Sequence, residues 1–159
     1  MQQKETLNTT DIPDISSVPK KGRLLALDPG TRLIGVAISD ETRCVATPLK
    51  ALNKTSWKNL LSEIESIVAD YDALALIVGL PLNTDGSESS MSILARDMAR
   101  KFALSLSIPV FLQDERVTSY EARKRLWDRG IDPDKTKQFV DSEAASIILT
   151  DFIERLDRI

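Results

Sequence analysis

The chain has 159 residues, 42% of them apolar and 28% charged, with a formal net charge of −3. That is the length of one ordinary domain, globular and soluble by composition, and no apolar run nears the roughly 20 residues of a membrane span. There is no histidine and one cysteine, Cys44. Imidazole bases, histidine-ligated zinc, histidine-dependent triads and an internal disulfide are excluded, and the cysteine usage fits a reducing cytoplasm.

In chain order, residues 1–21 read as a flexible tail: they hold Pro13 and Pro19, lack periodicity and have no apolar signal-peptide core. The globular domain is expected over residues 22–159. Arg23–Asp28 is a short apolar run ending in an acid before Pro29-Gly30, a strand and a turn. Leu33–Ser39 alternates Ile34, Val36 and Ile38 with Gly35 and Ala37, the period of a strand. Arg43–Leu49 reads as a third strand. From Ser56 to Asp70 the spacing of Trp57, Leu60, Leu61, Ile64, Ile67 and Val68 predicts a helix. Ala73–Leu80 is apolar throughout, as suits a central parallel strand covered on both faces. A polar loop over Pro81–Ser90 leads to a helix over Ser90–Ser105, with Ile93, Leu94, Met98, Phe102 and Leu106 expected in the core. Pro109–Leu112 is a short strand, Thr118–Arg129 a helix with a Thr-x-x-Glu capping box, and Ser142–Leu156 a last helix.

The order β-β-β-α-β-α-β-α-α predicts an α/β domain. Its five-stranded mixed sheet would join an antiparallel meander of three strands to two parallel strands, with helices on both faces.

Without imidazole, proton transfer and charge handling fall to Asp, Glu, Lys, Tyr or a metal. Asp28 ends the first strand, Glu115 follows the last short one, and Asp141 stands at the start of the final helix. Ligands of such sheets collect at the carboxyl ends of the strands. Three carboxylates converging there would suit Mg²⁺ or Mn²⁺, and two such ions about 4 Å apart can align an attacking water with a leaving phosphate oxygen. Each acid also has a structural reading: Asp28 as a turn former, Asp141 as a helix cap, Glu115 as a solvated partner of Arg116. Thr31 and Arg32, after the Pro-Gly turn, and Asn83, in the loop after the buried strand, are candidate phosphate contacts. Arg116, Arg123, Lys124, Arg125, Arg129, Lys135 and Lys137 form a basic cluster interleaved with acids, a pattern that a solvated helix face explains more often than a binding patch. Tyr120 and Trp127 within it could stack on bases, with core packing an equal reading for Trp127.

Four blocks together resemble the YqgF family of bacterial proteins: Leu25–Asp40, Ile77–Ser87, Asp114–Ala122 and Val140–Ala145. They stand in the family's order, across residues 22–156. The resemblance implies a ribonuclease H-like fold related to the Holliday junction resolvase RuvC. It also implies an endonuclease that matures the 5′ end of pre-16S rRNA in the cytoplasm. Asp28, Glu115 and Asp141 match the family's acids and would be catalytic and metal-binding, with Mg²⁺ or Mn²⁺ as cofactor. Thr31, Arg32, Asn83 and Arg116 would contact substrate. The family commonly carries two basic residues after Gly-Thr; here Arg32 is followed by Leu33, so one phosphate contact is absent. The implied partners are nucleic acid (pre-rRNA first, branched DNA as the alternative) and ribosomal particles. No membrane is implied, and the chain would be a monomer or a homodimer.

Three other readings compete. A Holliday junction resolvase would use the same chemistry as a dimer. A non-catalytic nucleic-acid or ribosome-binding module would keep binding without Asp28. A sugar-kinase or actin-like ATPase is suggested by Asp28-x-Gly-Thr, but it needs two such domains around a nucleotide.

Overall fold

The structure, a computed structural model, describes residues 13–30, 32–115 and 133–159, with the backbone alone for 133–141. Three hairpin-connected strands open the domain: β1 (Leu24–Pro29), β2 (Leu33–Ser39) and β3 (Ala46–Asn53). Both of their pairings are antiparallel. Helix α1 (Trp57–Tyr71) then crosses back, so that β4 (Ala75–Leu80) lies parallel to β1. Helix α2 (Ser90–Ser105) repeats the crossover and sets β5 (Val110–Asp114) parallel to β4. The order across the sheet is β3-β2-β1-β4-β5, the meander plus two parallel strands that the residue patterns predict. Helix α3 (Pro133–Asp157) is the last described element.

Alternation along the strands sorts residues to two faces. Leu25 and Leu27 of β1, Leu76 and Val78 of β4, and Val110 of β5 join α1 and α2 in one core. Leu24 and Ala26, Ala75 and Ile77, and Phe111 join α3 in the other. Strand β4 is buried along its whole length because helices cover both of its faces. Ser56 caps α1 by accepting from the Asn59 N–H, and Ser89 and Ser92 form a reciprocal capping box on α2.

Several boundaries differ from the sequence expectation. Strand β3 begins later and ends later. Arg43 sits at φ 60° in a turn that the Asp40 carboxylate organises by accepting from the Cys44 and Val45 N–H groups, each at 2.9 Å. Pro48 is tolerated inside β3 because that strand is an edge. Helix α2 packs Met98, Phe102 and Leu106 in the core as expected, but Ser92, Ala95 and Ala99 join them while Ile93 and Leu94 are exposed. The small residues let the helix lie close to the sheet, and bonds to Ser89 and Glu88 satisfy the Ser92 hydroxyl inside. Helix α3 starts at Pro133, a residue suited to a first helical turn, so Asp141 lies within the helix and not at its cap. Of the expected tail, Ile15–Ser17 forms a short 3-10 turn and Val18 is buried against the α3 core. The helix expected over Thr118–Arg129, with Tyr120 and Trp127, lies outside the described residues.

Candidate active site

Asp28 is the penultimate residue of β1 and continues the face of Leu24 and Ala26, which is the α3 face. The parallel register places Leu27 beside Val78, which sets Asp28 level with Gly79, and Gly79 pairs with Gln113 on β5. These three positions form one row across three strands on one face. At its centre is a residue without a side chain, so β4 itself puts no side chain between Asp28 and the β5 side of the row. Glu115 lies two residues beyond Gln113, on the same face. Its N–H donates to the Leu80 carbonyl at 3.0 Å, which continues the β4–β5 pairing one step past the strand end and fixes the Glu115 backbone.

The consequence is a small cleft of about 40 Å³ lined by Asp28, Gly79, Pro81, Glu115, Ala144 and Ile148. Asp28 and Glu115, 87 positions apart in the chain, thus share one cavity. Asp28 and Glu115 are each half-buried, and both have further interactions within the molecule. Helix α3 forms the remaining wall. A Cβ on Gly79 would come within 2.4 Å of the Ile148 Cδ1 and 3.5 Å of the Leu27 carbonyl oxygen. Gly79 therefore permits both the open row and the close approach of the helix. Asp141 occupies a backbone position one turn before Ala144 and two turns before Ile148, and its side chain lies outside the described residues. The neighbouring Ser142 accepts from the Val36 N–H at 3.3 Å, which ties this stretch of α3 to β2.

The other candidates fare unequally. Arg32 is exposed in the β1–β2 turn, and its carbonyl accepts from the Lys54 N–H at 2.9 Å. Asn83 serves its own loop: its amide nitrogen donates to the Ser87 hydroxyl at 3.0 Å and to the Glu88 carbonyl at 3.1 Å. Asp85 accepts from the Ser87 N–H and hydroxyl, and the Ser89 hydroxyl donates to Pro81 at 2.6 Å. Glu88 closes the knot with Ser92 and with Arg96, the latter at 2.6 Å. These bonds cross-link the loop into a shoulder beside Pro81. Thr31 and Arg116 lie outside the described residues.

The sequence reading missed Gly79, whose signal was a lone glycine inside an apolar strand. It also missed Gln113, 8% exposed, whose amide nitrogen donates to the Asp114 carbonyl while its Oε1 lacks a hydrogen bond. Glu143, fully buried on α3 and engaged within the molecule, was a third omission. Its signal was an acid set in a run of small and apolar residues.

The sequence profile of the RuvX family, described as Holliday junction resolvase, matches residues 22–155. A protein of Roseiflexus sp. named "Putative pre-16S rRNA nuclease" is 39% identical over 140 residues, covering 88% of this chain and 98% of its own. A protein of the same name from Acidiphilium cryptum is 36% identical over 150 residues, covering 94% of each chain. Among solved structures, RuvC of Thermus thermophilus superposes with a TM-score of 0.52 at 13% identity, over 85% of this chain and 96% of that one. The same protein solved with a Holliday junction substrate gives 0.52 at 15% identity. The fold is thus that of the RuvC-like, ribonuclease H-like proteins. On the extent of the profile match and the identity with these relatives, the chain belongs to the RuvX family.

Proposed function

We propose that this protein is a divalent-metal-dependent endonuclease that hydrolyses phosphodiester bonds in structured nucleic acid. The proposed substrate is the 5′ end of the 16S rRNA precursor in the cytoplasm. The observation that carries this reading is the shared cleft of Asp28 and Glu115 at the carboxyl end of the parallel strands. The names of the curated relatives and the family's description support the same chemistry.

The donor set fits a hard cation. Asp28 and Glu115 offer oxygen ligands only, which is the preference of Mg²⁺ and Mn²⁺. Among the described side chains no group of three metal-ligating residues occurs; the proposed third donor is Asp141, from its position one turn before Ala144. A cation bound there supplies charge to a phosphate oxygen and lowers the pKa of an attacking water. The protein's own part is positioning. The β4–β5 pairing fixes Glu115, the β1–β2 pairing fixes Asp28, and the Ser142–Val36 bond fixes the α3 segment that carries Asp141. Arg32, exposed in the β1–β2 turn, is proposed to contact phosphate, as are Thr31 and Arg116. Asn83 acts by holding the loop after β4. Ribosomal particles are the proposed setting in which the precursor is met.

The test uses the purified chain with Mg²⁺ or Mn²⁺ on a 5′-extended 16S rRNA precursor and, in parallel, on a four-way DNA junction. Cleavage of the precursor that is abolished in Asp28→Asn is expected. Cutting of the junction alone would replace the substrate by the one in the family's description. Wild-type protein that leaves both intact under either metal would overturn the nuclease reading.

A further inference from the structure

One edge of the sheet is built unlike the rest. Between Ile34, opposite Leu52, and Val36, opposite Leu49, the β2–β3 register shifts, so Gly35 faces two residues, Lys50 and Ala51. This is a β-bulge, a device that re-aims side chains and recurs beside active sites. Its effect on facing is definite. Leu49 and Leu52 both pack on the α1/α2 core, although three-residue spacing in a regular strand would put them on opposite faces. Lys50 and Ala51 therefore look to the other face, that of α3. Gly35 is the partner of Asp28 on the opposite side. The bulge thus stands in the row of Asp28, two strands away, at about 4.8 Å per strand.

The charge along this edge is equally distinctive. From Thr42 to Ser62 the sequence has four cations, Arg43, Lys50, Lys54 and Lys58, and no acid, within a chain of net charge −3. Arg43 belongs to the far end of the hairpin, where its Nε donates to the Gly22 carbonyl at 2.9 Å. The other three gather at the end where Asp28 lies. Lys54 follows β3 and its N–H is bonded to the Arg32 carbonyl at 2.9 Å. Lys58 is the second residue of α1, whose first turn has no acid. That places a lysine against the positive end of a helix dipole, where an acid is the stabilising choice. Arg32, Lys50, Lys54 and Lys58 are all exposed, and none enters an ion pair among the described residues. On the other side of the cleft the described rim carries Asp85, Glu88 and Asp114. Among the described residues, the unpaired cations a polyanion would meet beside the cleft stand on the β3 side.

We infer that this edge is a phosphate track: Lys50, Lys54 and Lys58, with Arg32, hold the backbone of the nucleic-acid strand that enters the Asp28–Glu115 cleft. Lys50, set at the bulge in the row of Asp28, begins the path on β3, and Lys54 and Lys58 continue it off the sheet toward α1. The lysines are positioning residues that bind phosphate without reading bases. The inference rests on the nuclease reading for the identity of the strand but makes a claim of its own, because binding is measured without cleavage.

The experiment compares wild type, the triple variant Lys50→Gln/Lys54→Gln/Lys58→Gln, and a charge-matched control, Lys20→Gln/Lys21→Gln/Arg158→Gln. The control residues are exposed cations; Lys20 and Lys21 precede β1 beside Gly22, whose N–H donates to the Glu41 carbonyl at the far end of the sheet, and Arg158 follows α3. The probe is a fluorescein-labelled RNA hairpin with a single-stranded 5′ extension, titrated by anisotropy in EDTA over about 50 to 200 mM salt. Each lost phosphate contact lowers the slope of log K against log salt by about 0.7 to 0.9, so the edge variant should lose roughly 2 to 3 from the slope while the control keeps it. In cleavage assays the edge variant should raise KM and leave kcat unchanged. Equal slopes for the edge variant and wild type would overturn the track alone, leaving cleavage to stand or fall by Asp28→Asn. A wild type that binds no probe at all would overturn both.

Discussion

The two faces of the sheet use the same five strands for different ends. On the α1/α2 face the core is made of large side chains: Leu25, Leu27, Ile34, Val36, Ile64, Leu76 and Phe102 are all fully buried. The Trp57 ring lies 4.7 Å from that of Phe102. On the α3 face, large buried residues such as Leu24, Ile77, Phe111 and Phe152 alternate with small ones: Ala26, Ala37 and Ala75 on the strands, Ala145 on the helix, and Gly35 and Gly79. Polar groups are buried there too: Ser39, Gln113, Ser142, Glu143 and Ser146. Burial of apolar area stabilises in proportion to its extent, so both faces hold the domain together. The second gives up part of that area to bring a helix close and to hold carboxylates at its edge.

That contrast can be broken from either side. Asp28→Asn should reduce cleavage by at least about a thousandfold, roughly 4 kcal/mol in the barrier, with the thermal unfolding midpoint unchanged; turnover on the precursor and differential scanning calorimetry check the two halves. Phe102→Ala should do the converse. It should cost about 3 to 5 kcal/mol of stability by urea unfolding, with kcat per folded molecule unchanged. Gly79→Ala sharpens the comparison because it acts on both: the new methyl meets Ile148, which is itself buried. Overpacking of about 1 to 3 kcal/mol should come with lost activity as α3 is pushed away. Valine there should be worse than alanine, and a Gly79→Ala protein with full activity would refute the close-approach argument.

The smallest effect lies at the far end of the β2–β3 hairpin. The Thr42 hydroxyl and the N–H groups of Val45 and Cys44 donate to the Asp40 carboxylate and lower its pKa from 3.8 to about 2. A depressed pKa means the ionised form is favoured in the folded state, so this contribution is complete above about pH 4 and is lost as the pH falls through about 2. Asp40→Asn should remove that component of the acid limb of a stability–pH curve and leave cleavage at neutral pH untouched, since the turn is remote from the cleft.

The fold was legible because its signals are local and redundant. The alternation in Leu33–Ser39 and the unbroken apolar run of β4 each admit one reading. The facing of α2 was legible in part: Met98, Phe102 and Leu106 pack as expected, but large Ile93 and Leu94 outrank Ala95 and Ala99 on any hydrophobic scale, although close packing selects the small residues. Strand β3 was displaced because its last residues pair through a bulge, which no period of two reveals. Asp28 and Glu115 were legible as acids at strand ends, the place where such sheets bind ligands. Gly79 and Gln113 were not, since their roles depend on register between strands distant in sequence. The bulge at Lys50 was hidden for the same reason.

The central claim is that Asp28, Glu115 and Asp141 share a divalent cation at the edge of the α3 face. A crystal structure of the wild-type protein soaked in Mn²⁺, with an anomalous difference map, tests it most directly. The account predicts a peak in the cleft coordinated by carboxylate oxygens of all three residues and absent from Asp28→Asn crystals. A map with no peak there, or with Asp141 turned away from a metal held by the other two, would contradict it.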